Sequence, residues 1–297
     1  MTENALPGVP ADRYTLWSVI RDAVRGTHHD YTAGSIGRAI VLLAIPMVLE
    51  MGMESIFAVV DVFWVSRLGP DAVATVGLTE SMLTLVYTAA MGLSIGVAAT
   101  VARRIGEKRP DAAAETAVQG IAMGLVVAAV VAVLGVSLAP RLLGVMGASP
   151  AVTAIGSGYT RMMLGGSATV LLIFLINAIF RGAGDAAIAM RVLWLANAIN
   201  ILLGPCLIFG LGPFPKLGVT GAASATTIGR GTGVLYQIYR LTRGDARVAV
   251  RRIHLALKPA IMASLIRLSG SGTFQVLVGT ASYIGLVRIV STFGTPM

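Results

Sequence analysis

The stretch AIPMVLEMGMESIFAVVDVFWVSRLG, residues 44–69, is long and apolar enough to span a bilayer, yet it carries Glu50, Glu54 and Asp61. Roughly 20 helical residues cross the hydrocarbon. At about 100° per residue, Glu54 lies about 40° and Asp61 about 20° around the helix from Glu50, so the three acids form a stripe on one narrow face. Each carboxylate near the bilayer centre costs on the order of 2.5–3.5 kcal/mol, and no Lys or Arg lies within residues 39–66 to neutralise it. The stripe must therefore face protein or water. Burial and mutual repulsion both favour the neutral acid, so at least one of the three is expected to take up a proton near neutral pH. Such a stripe suits a proton site, or a cation site where Na⁺ replaces the proton. A single acid can also serve as a permanently protonated hydrogen-bond donor between helices, a reading that strains to cover all three.

The rest of the chain reads as an all-α polytopic membrane protein. Of its 297 residues 56% are hydrophobic and only 12% charged, and its mean hydropathy of +0.81 exceeds what a soluble core requires. Seven apolar segments of spanning length are expected near 39–66, 72–101, 116–140, 153–180, 187–211, 219–240 and 261–290, joined by short turns rich in Gly, Pro and charge. One cysteine, Cys206, excludes a disulfide framework within the chain, and His28, His29 and His254 show no metal-ligand spacing. No cofactor or metal is expected beyond a coupling ion, H⁺ or Na⁺. The stretch DRYTLWSVIRDAV, 12–24, reads as an amphipathic surface helix rather than a signal peptide.

The net charge of +9 follows from topology rather than from nucleic acid. Sixteen of the 23 basic residues fall in the tail and the even-numbered loops, with Arg103, Arg104, Lys108 and Arg109 in the second and six more between Arg240 and Lys258 in the sixth. The odd-numbered loops hold only Arg67, Arg141 and Lys216. The N-terminus and the even loops are therefore expected to be cytoplasmic, in a bacterial inner membrane. A shift of 225 residues sets IVSTFGTP (289–296) on WVSRLGPD (64–71) and Gln275 on Glu50, a parallel repeat of a six-helix unit. The expected organisation is a tail (1–38), an N-terminal six-helix lobe (39–242), a basic linker (243–260) and the first helix of a second lobe (261–297), whose remainder is expected to be required.

Residues 30–297 resemble the multidrug and toxic compound extrusion (MATE) transporters. The resemblance rests on LAIPM leading to VVDVFWVSRLGPDAVATVG, VARRIGEK after the second helix, NAIFRGAGD closing the fourth, and NILLGPCLIFGLGPFPKLGVTGAA across the fifth and sixth. It implies twelve-helix secondary antiporters whose two lobes enclose a cavity, with Asp61 coupled to H⁺ or Na⁺. Glu50 and Glu54 are then read as lining that cavity, in proton passage or in binding a cationic substrate.

Around Asp61 the sequence offers Asn177, Asn197 and Asn200, amides embedded in apolar helices that can donate to a carboxylate or offer oxygen to Na⁺. Asn197 reads best as a helix-to-helix tie; Asn177 and Asn200 stay open between tie and coupling. The resemblance also implies a second acid in the fifth helix, where this chain has Gly204. Either Glu50 or Glu54 replaces it, or coupling rests on Asp61 with less Na⁺ affinity. Glu80 and Tyr87 of the second helix are candidates for the same cavity. Several methionines, Met91 and Met163 among them, are read either as a pliable wall or as filler. Pro46, one turn before Glu50, removes a backbone hydrogen bond and permits bending or a fixed kink.

The expected function is therefore export of organic cations or amphipathic drugs in exchange for H⁺, with Na⁺ second, by a transporter and not an enzyme. Flipping of lipid-linked saccharides would call for a more cationic cavity. Intramembrane aspartyl proteolysis would need Asp185 of GAGD (182–185) beside Asp61, but the two fall toward opposite ends of their helices.

Overall fold

A computed structural model of the chain describes residues 16–26, 36–244 and 246–291. A short helix α1 (Leu16–Arg25) precedes the long helices α2 (Ile36–Ser66), α3 (Pro70–Gly106) and α4 (Pro110–Val145). Then come α5 (Pro150–Gly165), α6 (Ser167–Ala183), α7 (Ala186–Phe209), α8 (Val219–Arg243) and α9 (Pro259–Ser291), with one turn of 3-10 helix at Arg252–Leu255 before α9. Proline opens α3, α4, α5 and α9, where its missing N–H has no helical partner to lose. Glycine in the left-handed conformation closes α6, α7 and α8 at Gly184, Gly210 and Gly244.

The helices depart from the sequence expectation at two places. The fourth segment is a pair of helices, α5 and α6, broken at Gly166, where a Cβ would sit 2.9 Å from the Met162 carbonyl oxygen and 3.0 Å from Thr227 Oγ1 of α8. Six spans among the described residues are long and apolar enough to cross a membrane, not seven, and α8 is the one that falls short. It carries Thr226, Arg230 and Gln237, all buried. α8 packs against α5, α6 and α7, so these polar groups find partners within protein and the helix has less need of apolar surface. α2 runs as one helix through Pro46.

The core forms two apolar clusters. One gathers Val97, Val101, Ala114, Ile176, Phe180, Val192 and Leu265 from α3, α4, α6, α7 and α9. The other gathers Val65, Leu83, Val86, Tyr159, Met163 and Ala222 from α2, α3, α5 and α8. α9 lies against α3 at Gly92 and Gly96, where a Cβ would come within 1.9 Å of Thr273 Oγ1 and 2.6 Å of Ser269 Oγ. Only glycine permits that approach.

The segment before α9 is strapped to one face of α4. Gln119, fully buried, donates to the Ala256 carbonyl (2.9 Å) and accepts from Lys258 N (3.0 Å). One and two turns earlier, Glu115 pairs with Lys258 Nζ at 2.6 Å and Asp111 lies 3.3 Å from buried His254 Nε2. α9 is helical to Ser291, the residue that the proposed repeat sets on Ser66. Gly294, which would extend that match, lies outside the described residues, as do His28, His29 and the first residues of the predicted tail helix.

Candidate functional site

A cavity of about 440 Å³ opens among α2, α3, α5, α6 and α8, and its wall brings together Glu54, Asp61, Glu80 and Tyr87. Asp61 and Glu54 stand seven residues apart on α2, two helical turns, and therefore point to the same side. Glu80 and Tyr87 repeat that spacing on α3. Phe57, Tyr159, Met163 and Phe174 supply the apolar wall, with the Tyr87 and Phe174 rings 5.9 Å apart at 57°. Met91 and Met163 reach the cavity, whereas Met47 and Met51 are exposed on the outside of α2.

The wall also holds a cation that the sequence reading passed over. Arg230, in the middle of α8 and only 8% exposed, donates from Nη1 to the Tyr87 hydroxyl at 3.3 Å. Its Nη2 lies 4.0 Å from Glu54 Oε1, and its guanidinium carbon is 5.9 Å from the Tyr87 ring centre. Asp61 and Glu80 are within its electrostatic range. The signal for it was present in GAASATTIGRGTG, 221–233, a lone Arg inside a helix of small and apolar residues. An ionisable group so placed marks a functional site by default.

The acid stripe divides among different partners. Glu50 is buried and accepts from Arg181 Nη1 of α6 at 2.9 Å. It does not line the cavity. Glu54 accepts at Oε2 from Asn197 Nδ2 of α7 at 2.9 Å, so Asn197 ties α2 to α7. No side chain among the described residues hydrogen-bonds the carboxylates of Asp61 or Glu80. The expectation that nothing neutralises the stripe is therefore corrected: α2 itself has no cation in this stretch, but α6 and α8 supply one each.

The two amides expected beside Asp61 are engaged elsewhere. Asn177 Oδ1 accepts from Gln237 Nε2 at 2.7 Å, and Asn200 Nδ2 donates to Thr226 Oγ1 at 2.7 Å. Both belong to the contact of α8 with its neighbours, because α8 carries the polar groups that complement them. Thr226 lines the cavity, so Asn200 stands one contact behind its wall. Gly204 lies on the same side, where a Cβ would be 3.9 Å from Asn200 Oδ1.

The GAGD turn is a loop cap. Gly184 is left-handed with φ 87°, and Asp185 Oδ2 accepts from the backbone N of Arg247 at 3.0 Å while Oδ1 lies 3.8 Å from its guanidinium. Held this way at the start of α7, Asp185 is not part of the cavity that contains Asp61.

The profile of the MatE family matches residues 46–206, more than half of the chain. The chain belongs to the MatE family. Among curated relatives of this MatE chain, a protein of Shewanella oneidensis named FAD transporter is 28% identical over 198 residues, 67% of this chain and 44% of the relative. The probable multidrug resistance protein YoeA of Bacillus subtilis is 26% identical over 266 residues, 88% of this chain and 57% of the relative. The probable multidrug resistance protein NorM of Thermotoga maritima is 28% identical over 214 residues, 69% and 45%. The MatE chain thus spans about half the length of the curated relatives it matches. Its fold superposes on an outward-facing multidrug resistance MATE family transporter of the MOP superfamily, with a TM-score of 0.79 at 28% identity over 92% of this chain and 58% of that one. A MOP superfamily transporter from Pyrococcus furiosus, described by a reverse polarity of its binding pocket that suggests a different function, aligns with a TM-score of 0.76 at 28% identity. It covers 89% of this chain and 56% of that one.

Proposed function

We propose that this MatE chain is one lobe of a multi-pass secondary antiporter of a bacterial inner membrane, with its N-terminus cytoplasmic, which exports organic cations or amphipathic compounds in exchange for protons. A second lobe completes the transport path. The observation that carries the reading is the cavity in which Asp61 and Glu80 face an aromatic wall without a side-chain hydrogen bond from any described residue. An acid not committed to its neighbours can exchange a proton for a cationic ligand without breaking structure. A proton on Asp61 removes the charge that holds the ligand, and by reciprocity a bound cation expels that proton. Alternating access between two lobes then couples the two flows.

Protons suit the site better than Na⁺. Of the two amides that could have given oxygen to Na⁺, Asn177 gives its Oδ1 to Gln237, and Asn200, held at its Nδ2 by Thr226, stands behind the cavity wall rather than in it, whereas hard cations favour several oxygen ligands. Glu50 is read here as structural, since Arg181 neutralises it outside the cavity.

The test is binding of rhodamine 123, a fluorescent organic cation, to the chain in lipid nanodiscs, with proton release followed in weak buffer. Binding is expected to release protons, and Asp61→Asn to weaken it at least about tenfold. Binding without proton release, or binding that Asp61→Asn leaves unchanged, would overturn the proposal.

A further inference from the structure

As the counter-charge that α8 brings to the acid stripe, Arg230 needs only its charge, and its hydrogen-bonding capacity exceeds what the fold takes up. The Arg230 guanidinium presents five N–H groups in a planar fork. Among the described residues its hydrogen bonding consists of the Tyr87 hydroxyl at 3.3 Å, and the nearest carboxylate oxygen, Glu54 Oε1, stays 4.0 Å away. Glu54 is held back at its other oxygen by Asn197. The guanidinium, 8% exposed, belongs to the cavity wall, so an anionic acceptor entering the cavity meets donors that the fold leaves unused.

We propose that Arg230 is the anion subsite of this cavity, and that the chain takes zwitterionic aromatic amphiphiles. The ligand's carboxylate or phosphate oxygens accept from the Arg230 fork in a charge-assisted, bidentate contact. Its flat body lies against Tyr87 and Phe174, and its cationic group reaches Asp61 and Glu80. The inference rests on the cavity being the substrate site, as proposed above, and adds the sign of the second charge a substrate must carry. A plain cation satisfies the acids but leaves the guanidinium facing like charge. Arg230 is thus a specificity-determining residue, and Asn197 is a positioning residue that prevents Glu54 from closing on it.

Rhodamine 110 and rhodamine 123 share one xanthylium cation and differ only in a free carboxylate against its methyl ester. Fluorescence anisotropy with the chain in nanodiscs near neutral pH compares them directly. The wild type is expected to bind rhodamine 110 roughly 10- to 100-fold more tightly, the range that hydrogen bonds to charged groups supply. Arg230→Gln should abolish that preference, its loss of rhodamine 110 binding exceeding any change in rhodamine 123 binding by the same factor, roughly 10- to 100-fold. Arg230→Lys, which keeps the charge but not the fork, should retain a smaller preference. A wild type that binds the ester as tightly as the acid, or an Arg230→Gln that weakens both dyes by one factor, overturns the anion subsite and leaves the cavity reading standing. Failure of the wild type to bind either dye overturns both. Should Arg230→Gln not fold, the wild-type preference and its fate in Arg230→Lys decide alone.

Discussion

Arg181 and Arg230 each bring a guanidinium to a carboxylate of α2, and the two carboxylates, Glu50 and Glu54, are one helical turn apart. The lower pair is closed at 2.9 Å, with the Glu50 side chain 10% exposed. Glu50 Oε2 has no hydrogen-bond partner there. The upper pair stands open at 4.0 Å beside a cavity, with the Glu54 side chain 45% exposed. The difference separates two uses of the same chemistry. A closed buried pair ties α2 to α6, whereas an open one leaves donors free for something that is not part of the fold.

Breaking the closed pair is expected to have the largest effect on stability. Arg181→Ala leaves Glu50 buried without its counter-charge and should cost about 3–5 kcal/mol, measured as unfolding free energy in mixed micelles. Replacing both partners, Glu50→Leu with Arg181→Met, should restore most of that loss, because the desolvation of both charges disappears with them. A double variant as unstable as the single one would mean that the pair is not what ties the helices.

The open region should respond the other way. Asp61→Asn is expected to weaken cation binding at least about tenfold while changing stability by less than about 0.5 kcal/mol, since no side chain among the described residues hydrogen-bonds that carboxylate. A large loss of stability in this variant would place Asp61 with Glu50 among the structural acids. Between the extremes lies Asn197. Asn197→Ala removes the bond that holds Glu54 and should cost roughly 1.5–3 kcal/mol, and it frees Glu54 to approach Arg230. A thermal melt beside the rhodamine comparison distinguishes this from Asp61→Asn: the melt should fall, and the preference for the zwitterion should shrink.

How much of this was legible in the sequence follows from what helical periodicity can carry. Spacing placed Glu54 and Asp61 on one face of α2, and the same turn counting paired Glu80 with Tyr87 on α3; the cavity contains all four. Periodicity is silent about which neighbour a face meets. For that reason Glu50, on the same face, was grouped with the cavity although Arg181 of α6 holds it, and Asn177 and Asn200 were set beside Asp61 although α8 meets them first. Arg230 was missed for a different reason: counting cations by loop says nothing of one placed mid-helix. The low hydropathy of α8, the helix that falls short as a span, was the trace it left. Gly166, where the fourth segment breaks, lies close to Thr227 of α8, an approach between segments distant in sequence.

The exposed limit of the comparison is Glu107, just past the end of α3, and it carries the smallest expected effect. Arg103 Nε and Arg104 Nη1 reach its two carboxylate oxygens at 2.8 and 3.0 Å, the same contact distance as Glu50 with Arg181, but the Arg103 side chain is 77% exposed. Hydrogen bonds from Arg103 and Arg104 hold the Glu107 carboxyl below its ordinary value of 4.5. Because the folded value is lowered, whatever stability the cluster contributes is present above about pH 4.5 and is lost as pH falls through the folded value. Solvent already satisfies these charges, and salt screens them. Glu107→Gln should therefore lower the melting temperature slightly near neutral pH in low salt, and the difference from wild type should vanish both in high salt and in acid. A difference that survived high salt would mean that contact distance rather than burial sets the strength of these pairs. The contrast between Glu50 and Glu54 would then rest on 2.9 against 4.0 Å alone.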